Sequence, residues 1–402
     1  MADTHVNRLR CAVSAVASAG LGAFTVSTAS SGYRTFGAGQ DGQTFTVLVT
    51  EGTTWEVNTG CTYTHGTTSL ARGTLADSST GSAITFTTAA VITEVASAAF
   101  GNRSEAALQA VTPGGRLTLE SGVPVSTTDQ TAKTSIYYTP FVHNIVNLWD
   151  GANWTPTVFT EKTLALGTLT ASLPYDVFGY LSSGALVLEA YAWATATTRQ
   201  NDLVLADGRY VKVTTAPATD KTRLYLGTFY TTSTTTTEDS GFGSTTAPSK
   251  RYLWNAYNRV RRTMLIEEDT ASWTWTGTAA TWRQWRAQTD NQVEVVVGLP
   301  GLAPVSLELN CTHSNSATAG ASSIGIGYDS TTALAANCMS FYGAAINTTA
   351  PVAQHAHLEQ VVPVGRHYWA MIEENVTSAN TVTMYGTSSA YRRSGMVGWI
   401  EA

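Results

Sequence analysis

Alternation of apolar and polar positions dominates this chain. Phe45, Val47 and Val49 alternate with Thr44, Thr46 and Thr50, the period of a strand with one buried face. Glu51-Gly52 supplies a turn, after which Trp55 and Val57 resume the alternation, so a hairpin is expected here. A second hairpin is expected over residues 61–72, closing on Ile84-Thr85-Phe86 before Val91-Ile92-Thr93. Upstream, a first strand should end at Phe24-Thr25-Val26.

The strand period lapses between Ser97 and Arg116, where Ser104 to Ala110 suits a helical turn and Pro113-Gly114-Gly115 breaks it. Past that linker, short aromatic strands recur: Ile136 to Phe141, Pro174 to Tyr180, Ala185 to Glu189, Asp207 to Lys212 and Arg223 to Tyr230. Asp150-Gly151 is a hairpin turn flanked by Trp149 and Trp154. Thr231 to Thr237, continuing to Ser249, is low in complexity and reads as an exposed loop. From Thr263 onward, strands are expected around Trp273, Val293 to Val297, Val305 to Leu309, Ile324 to Tyr328, His367 to Ile372 and Thr381 to Tyr385, and the chain ends on a paired strand at Gly398-Trp399-Ile400. Evenly spaced short strands fit sandwiches or barrels rather than alternating helices and strands. The expectation is an all-β protein of two to three β-sandwich or jelly-roll-like domains in tandem with few helices: residues 1–97, a linker at 98–116, then 117–265 and 266–402.

Composition narrows the class. At 402 residues the chain exceeds one ordinary core. Charged residues make up 13%, about half the usual share, and aromatics reach 10%, the reverse of a disordered chain. A net charge of −6 gives no overall attraction to phosphate backbones, and no apolar run approaches the ~20 residues of a membrane span, so neither nucleic acid nor membrane insertion is expected. Residues 7–24 imitate a signal peptide, but their centre is mostly Ala, Ser and Gly, which favours the strand reading.

Two stretches carry a family likeness. Gly32-Tyr33-Arg34-Thr35-Phe36, the Asp41-Gly42 turn, Glu51 to Val57, Thr62-Tyr63-Thr64, Gly66 to Arg72 and Ser78 to Phe86 together resemble a small domain recurrent at the N-termini of tailed-bacteriophage virion proteins, over residues 6–97. Tyr137 to Phe141, Leu148 to Trp154, Ser172 to Trp193, Asp207 to Lys212 and Arg223 to Arg262 resemble a second module of phage tail-fibre and minor structural proteins, over residues 117–265. The resemblance implies a virion component assembled in the host cytoplasm. It implies other virion proteins as partners, a homo-oligomer with a trimer favoured, and a host surface glycan or protein as a further contact. In that frame the first domain attaches to the virion, the second forms the body, and the third faces outward. A short tail fibre is the leading reading; a head-decoration, head-fibre or collar protein and a polysaccharide depolymerase are the alternatives. No heptad or fixed-period repeat is present, so such a fibre would be short. A reducing site of assembly suits four buried free thiols at Cys11, Cys61, Cys311 and Cys338, with Cys11–Cys61 or Cys311–Cys338 bridges as the alternative.

Few residues suggest chemistry. The nucleophile elbow, the HExxH helix and the phosphate loop are missing from the sequence, so no enzyme and no cofactor is expected. Glu267-Glu268-Asp269 and Glu373-Glu374 are the densest carboxylate groups, and as strand neighbours on opposite faces they read as solvated. His355 and His357 share one side of a strand with Glu359, a candidate metal pair that a polar strand face explains equally well. Trp254, Tyr257, Arg259, Arg261, Arg262, Trp282 and Trp285 interleave aromatic and basic residues, as interfaces do. Trp273, Trp275, Tyr328, Tyr342, Tyr385 and Tyr391 are sugar-contact candidates, for which core packing is the competing role.

Overall fold

The computed structural model describes residues 9–17, 21–95, 112–215, 218–241, 248–277, 281–344, 350–377, 379–387 and 393–402. It is all-β, with 58% of residues in strands, and it divides into two compact units, residues 1–109 and 110–402. The expected helical turn at Ser104 to Ala110 lies outside the described residues.

In the first unit, Arg10–Val16 pairs with Phe24–Ala29 and with Val91–Glu94, and Thr44–Glu51 pairs with both Val91–Glu94 and Thr54–Thr64. Ser69–Leu70 links Phe24–Ala29 to Thr54–Thr64, which closes the antiparallel sheet into a barrel; Thr74–Ser78 flanks it. Closure removes the open edges that a flat sheet would expose. The hairpin turn falls where the alternation places it, with Gly52 at φ 62° and Glu51 opposite Thr54. Inside lie Phe24, Phe36, Phe45, Tyr63, Phe86, Cys11 and Cys61.

One expected facing is reversed. Trp55 and Val57 are half-buried on the outside, while Glu56 and Asn58 are buried. The two-residue turn accounts for it, because it sets Trp55 opposite the outward Thr50 and Glu56 and Asn58 opposite the inward Val49 and Val47; the register irregularity beyond Asn58, at Gly60 with φ 69°, then returns Cys61 and Tyr63 to the inside. Buried Glu56 is satisfied by Arg72, the Ile84 amide at 3.0 Å and Asn58 Nδ2 at 2.6 Å.

The second unit is continuous across residue 265. One sheet runs in the order Tyr342–Ala344, Ala321–Tyr328, Gly365–Asn375, Gln292–Val297, Lys250–Arg251, Thr237–Ser240, Gln130–Lys133, with Trp282–Gln284 pairing beside Gly365–Asn375. The facing sheet runs Arg261–Glu267, Gly395–Glu401, Pro304–Asn315, Val352–Val361, Cys338–Ser340, and Thr381–Tyr385 joins Pro304–Asn315 to Trp273–Thr276. The first sheet therefore mixes strands from either side of the boundary expected at 265, the strand Arg261–Glu267 of the second straddles it, and one core runs from Phe178 to Ala402. Further sheets come from Pro174–Ser182, Ala185–Ala192, Leu203–Ala206, Arg209–Thr215 and Ala218–Tyr230, and from Gly115–Thr118, Ser135–Pro140 and Lys162–Ala165.

Two local expectations stand out. Trp149 pairs with Trp154 across the Asp150-Gly151 turn, and Asp150 Oδ1 accepts from the Ala152 and Asn153 amides at 2.8 and 2.7 Å. The threonine-rich stretch is a loop only in part: Thr232, Thr234 and Thr235 are exposed in a bend, residues 242–247 lie outside the described residues, and the part from Thr237 departs from the expectation. Thr237–Ser240 is an internal strand, and buried Asp239 accepts from Arg251 Nη1 at 2.8 Å and Arg262 Nη2 at 2.5 Å. All four cysteines are free and buried, and burial pushes the Cys11 thiol up to about 11 and Cys311 up to about 12.

Candidate functional site

The sheet that holds Gly395–Glu401 between Arg261–Glu267 and Pro304–Asn315 has two unlike faces. Met264, Ile266, Met396, Ile400, Leu307, Leu309, Ala356 and Leu358 point into the core, so by the two-residue period their neighbours point outward. The register arranges the outward residues in rows that cross the strands. Glu267 lies beside Gly395, Gly395 beside Asn310, and Asn310 beside His355. The next row is Leu265, Val397, Glu308, His357 and Met339. Beyond it come Thr263, Trp399, Ser306 and Glu359.

Two depressions open on this face. The larger, about 370 Å³, is lined by Leu265, Glu267, Asn310, Arg393, Ser394, Gly395, Met396 and Val397. The other, about 280 Å³, includes Ser306, Glu359, Val361 and Trp399. Arg261, which is exposed, stacks over the Trp399 ring at 4.1 Å. Glu267 is buried to 7% exposure and pairs with the exposed Arg393.

The histidine pair sits on this face as its spacing implied. His355 Nδ1 is 3.0 Å from Asn310 Oδ1, and His357 Nε2 is 3.7 Å from Glu359 Oε1. Among the described residues, no group of three or more His, Cys, Asp or Glu side chains is arranged to hold a metal ion.

The aromatic and basic candidates gather elsewhere, inside the unit. Trp254, Trp285 and Arg262 are buried in the single chain, so they are not available to a second copy as the interface reading required. Their partners are internal: Trp285 Nε1 donates to the Ile372 carbonyl at 3.1 Å, and Arg262 reaches the Ser126 carbonyl at 3.1 Å as well as Asp239. Tyr257 and Arg259 are half-buried; burial pushes the Tyr257 hydroxyl up to about 12, and Arg259 lies 5.6 Å from the Trp254 ring. Trp282 is half-buried.

Trp273 and Trp275, separated from the interface candidates on sequence grounds, belong to the same cluster. The Trp273 and Trp285 rings are 5.5 Å apart, Arg283 stacks over Trp275 at 4.1 Å, and Trp273 Nε1 donates to Glu373 at 2.8 Å. Arg283 also pairs with Glu373 at 2.6 Å, while Glu268 takes Arg286 at 2.8 Å, Asn291 at 3.0 Å and the Thr270 amide at 2.8 Å. The expectation of solvated carboxylates is thus overturned for Glu267, Glu268 and Glu373, because arginines spread along the chain converge on them. Burial holds the Glu373 carboxyl up at about 7, against the opposing pull of Arg283. Asp269 alone of its triplet is exposed.

Tyr385 is half-buried with its hydroxyl 3.0 Å from Ser314 Oγ, Tyr342 is exposed, and Tyr391 lies outside the described residues. Tyr328 is half-buried, its hydroxyl raised by burial and 2.8 Å from His367 Nδ1, a nitrogen that also meets Asp329 Oδ2 at 2.7 Å. Hydroxyl and carboxylate share one ring nitrogen, so no proton relay runs through the imidazole as it does in a nucleophile triad.

Sequence reading missed Trp399, Arg393 and Asn310. The signal that could have found them is the outward phase of their strands, which is readable only once register is known.

No family model matches this chain, and no curated protein matches it. Among solved structures, a Bacillus thuringiensis Cry1Da tryptic core variant is similar at 8% identity and a TM-score of 0.17, over 64% of this chain. The match spans about half, 49%, of that protein's length, and at this TM-score it carries no argument about function.

Proposed function

We propose that this chain is a structural component of a tailed-phage particle, a short tail fibre or comparable appendage that contacts the host surface. The observation that carries the reading is the double resemblance over residues 6–97 and 117–265. A low-charge, all-β chain with an N-terminal closed barrel suits a rigid attachment module followed by a display module. The first unit anchors to other virion proteins, and the polar outer sheet face of the second meets the host. The resemblance implies a trimer, and oligomers of this kind are symmetric. No catalytic step is assigned to the chain.

Immunogold labelling of intact particles with antibodies against residues 290–402 tests this. Gold at the tail tip or baseplate is expected. Gold over the head or neck would move the chain to decoration or joining and end the host-contact reading.

A further inference from the structure

We propose that the depression over Gly395 is a subsite for one pyranose residue of a surface polysaccharide, held by Glu267, Asn310 and Arg393. The inference rests on the host-contact reading above and deepens it.

The depression exists because the row from Glu267 to Asn310 has no side chain at its middle position. A Cβ on Gly395 would lie 2.2 Å from the Ile266 carbonyl oxygen, so the backbones approach too closely for any larger residue. The gap is flanked in its row by one charged residue and one amide, with Leu265 and Val397 as its apolar wall.

Its polar atoms are incompletely matched. Glu267 Oε1 accepts from Arg393, but Oε2 is buried and has no hydrogen-bond partner among the described residues. A buried carboxylate oxygen without a donor is costly, and a ligand that supplies the donor recovers that cost. Asn310 spends its Oδ1 on His355, which leaves its amide hydrogens for a ligand. Arg393 is 64% exposed and has further donors beyond the pair.

The chemistry selects a neutral polyol. An amine on Glu267 would compete with Arg393 for the carboxylate, and an anion on Arg393 would compete with Glu267 for the guanidinium. A hydroxyl does neither. It donates to Glu267 Oε2 and accepts from Asn310 or Arg393, so two adjacent hydroxyls bind while the ion pair stays intact. The C–H face of a pyranose ring then rests on Leu265 and Val397. A volume of about 370 Å³ falls at the small end of the range of ligand pockets, which suits one sugar rather than a buried chain.

Saturation-transfer NMR on the full chain tests the subsite, with methyl α-D-glucopyranoside, methyl β-D-galactopyranoside, methyl α-D-mannopyranoside and N-acetyl-D-glucosamine as probes. At least one should receive saturation, strongest at the ring protons of one face. Glu267→Gln and Asn310→Ala should each weaken that binding at least tenfold with their melting curves intact, and His357→Ala, one row away, should leave it unchanged. Absence of transfer to all four sugars, or equal binding by the two subsite variants, would overturn the proposal. Adhesion of the labelled full chain to host cells separates this from the wider reading. Adhesion undiminished in Glu267→Gln removes the subsite and keeps host contact. A wild-type chain that fails to adhere removes host contact, while the sugar titration still decides whether the pocket binds a pyranose.

Discussion

Glu267 and Glu268 are adjacent in sequence and serve two regions built from the same residue types. Glu268 points into the cluster of Trp273, Trp285, Arg283, Arg286 and Glu373, where Arg286, Asn291 and the Thr270 amide surround its carboxylate. Glu267 points to the outer sheet face, where one oxygen pairs with Arg393 and the other is unmatched among the described residues. Carboxylate beside arginine is structural in the first region and open for binding in the second. What separates them is the count of partners each polar atom has, a quantity that residue type does not carry. A buried polar group whose bonds are all made serves the fold, whereas one with a bond to spare beside an open depression is available to a ligand.

The largest effect expected of the closed interior is at Asp239. Removing it in Asp239→Ala strips Arg251 and Arg262, exposed only 1% and 5%, of the carboxylate they share. Breaking such a network costs about 3–5 kcal/mol, which urea unfolding would read directly. A loss under 1 kcal/mol would show that the interior is less closed than its bonds imply.

Next comes a pH dependence from Glu373. Its carboxyl is raised from 4.5 to about 7, so the protonated form is favoured in the folded state. The corresponding stability is fully present below pH 4.5 and is lost as pH rises through 7, a total of about 3 kcal/mol. Unfolding free energies measured across that window should fall in the wild type relative to Glu373→Gln, in which the step is absent. Parallel pH profiles would contradict the assignment.

The smallest effect belongs to the open face. His357 is about one-third exposed, its imidazole 3.7 Å from the largely exposed Glu359. His357→Ala should change stability by no more than about 0.5 kcal/mol by thermal melting. A larger loss would mean that the outer face is part of the fold's own support.

Local pattern revealed much of this architecture and stopped where long-range pairing begins. The Trp149 and Trp154 hairpin, the strand at Thr381–Tyr385 and the C-terminal strand were legible because alternation and turn residues are neighbours in sequence. The boundary expected at 265 was not, because Lys250–Arg251 pairs in parallel with Gln292–Val297 and Arg261–Glu267 pairs with Gly395–Glu401. Those partners are tens to more than a hundred residues apart, and no local window contains both. The strand Thr237–Ser240 was hidden by the threonine run before it and by its own wholly polar sequence, Thr-Glu-Asp-Ser, which shows no apolar alternation. For the candidate site, the histidine spacing correctly placed both rings on one side of a strand. The depression was invisible, since it depends on a glycine standing between a glutamate and an asparagine from three separate strands.

The comparison is tested most directly by melting Glu267→Ala and Glu268→Ala side by side. Glu268→Ala should lose about 3 kcal/mol, since buried Asn291 is left facing a void and half-buried Arg286 loses its carboxylate. Glu267→Ala should lose about 1 kcal/mol or less, because Arg393 turns to solvent and an unmatched oxygen disappears. Equal losses at the two positions, or a larger loss at Glu267, would contradict the division into a closed interior and an open face.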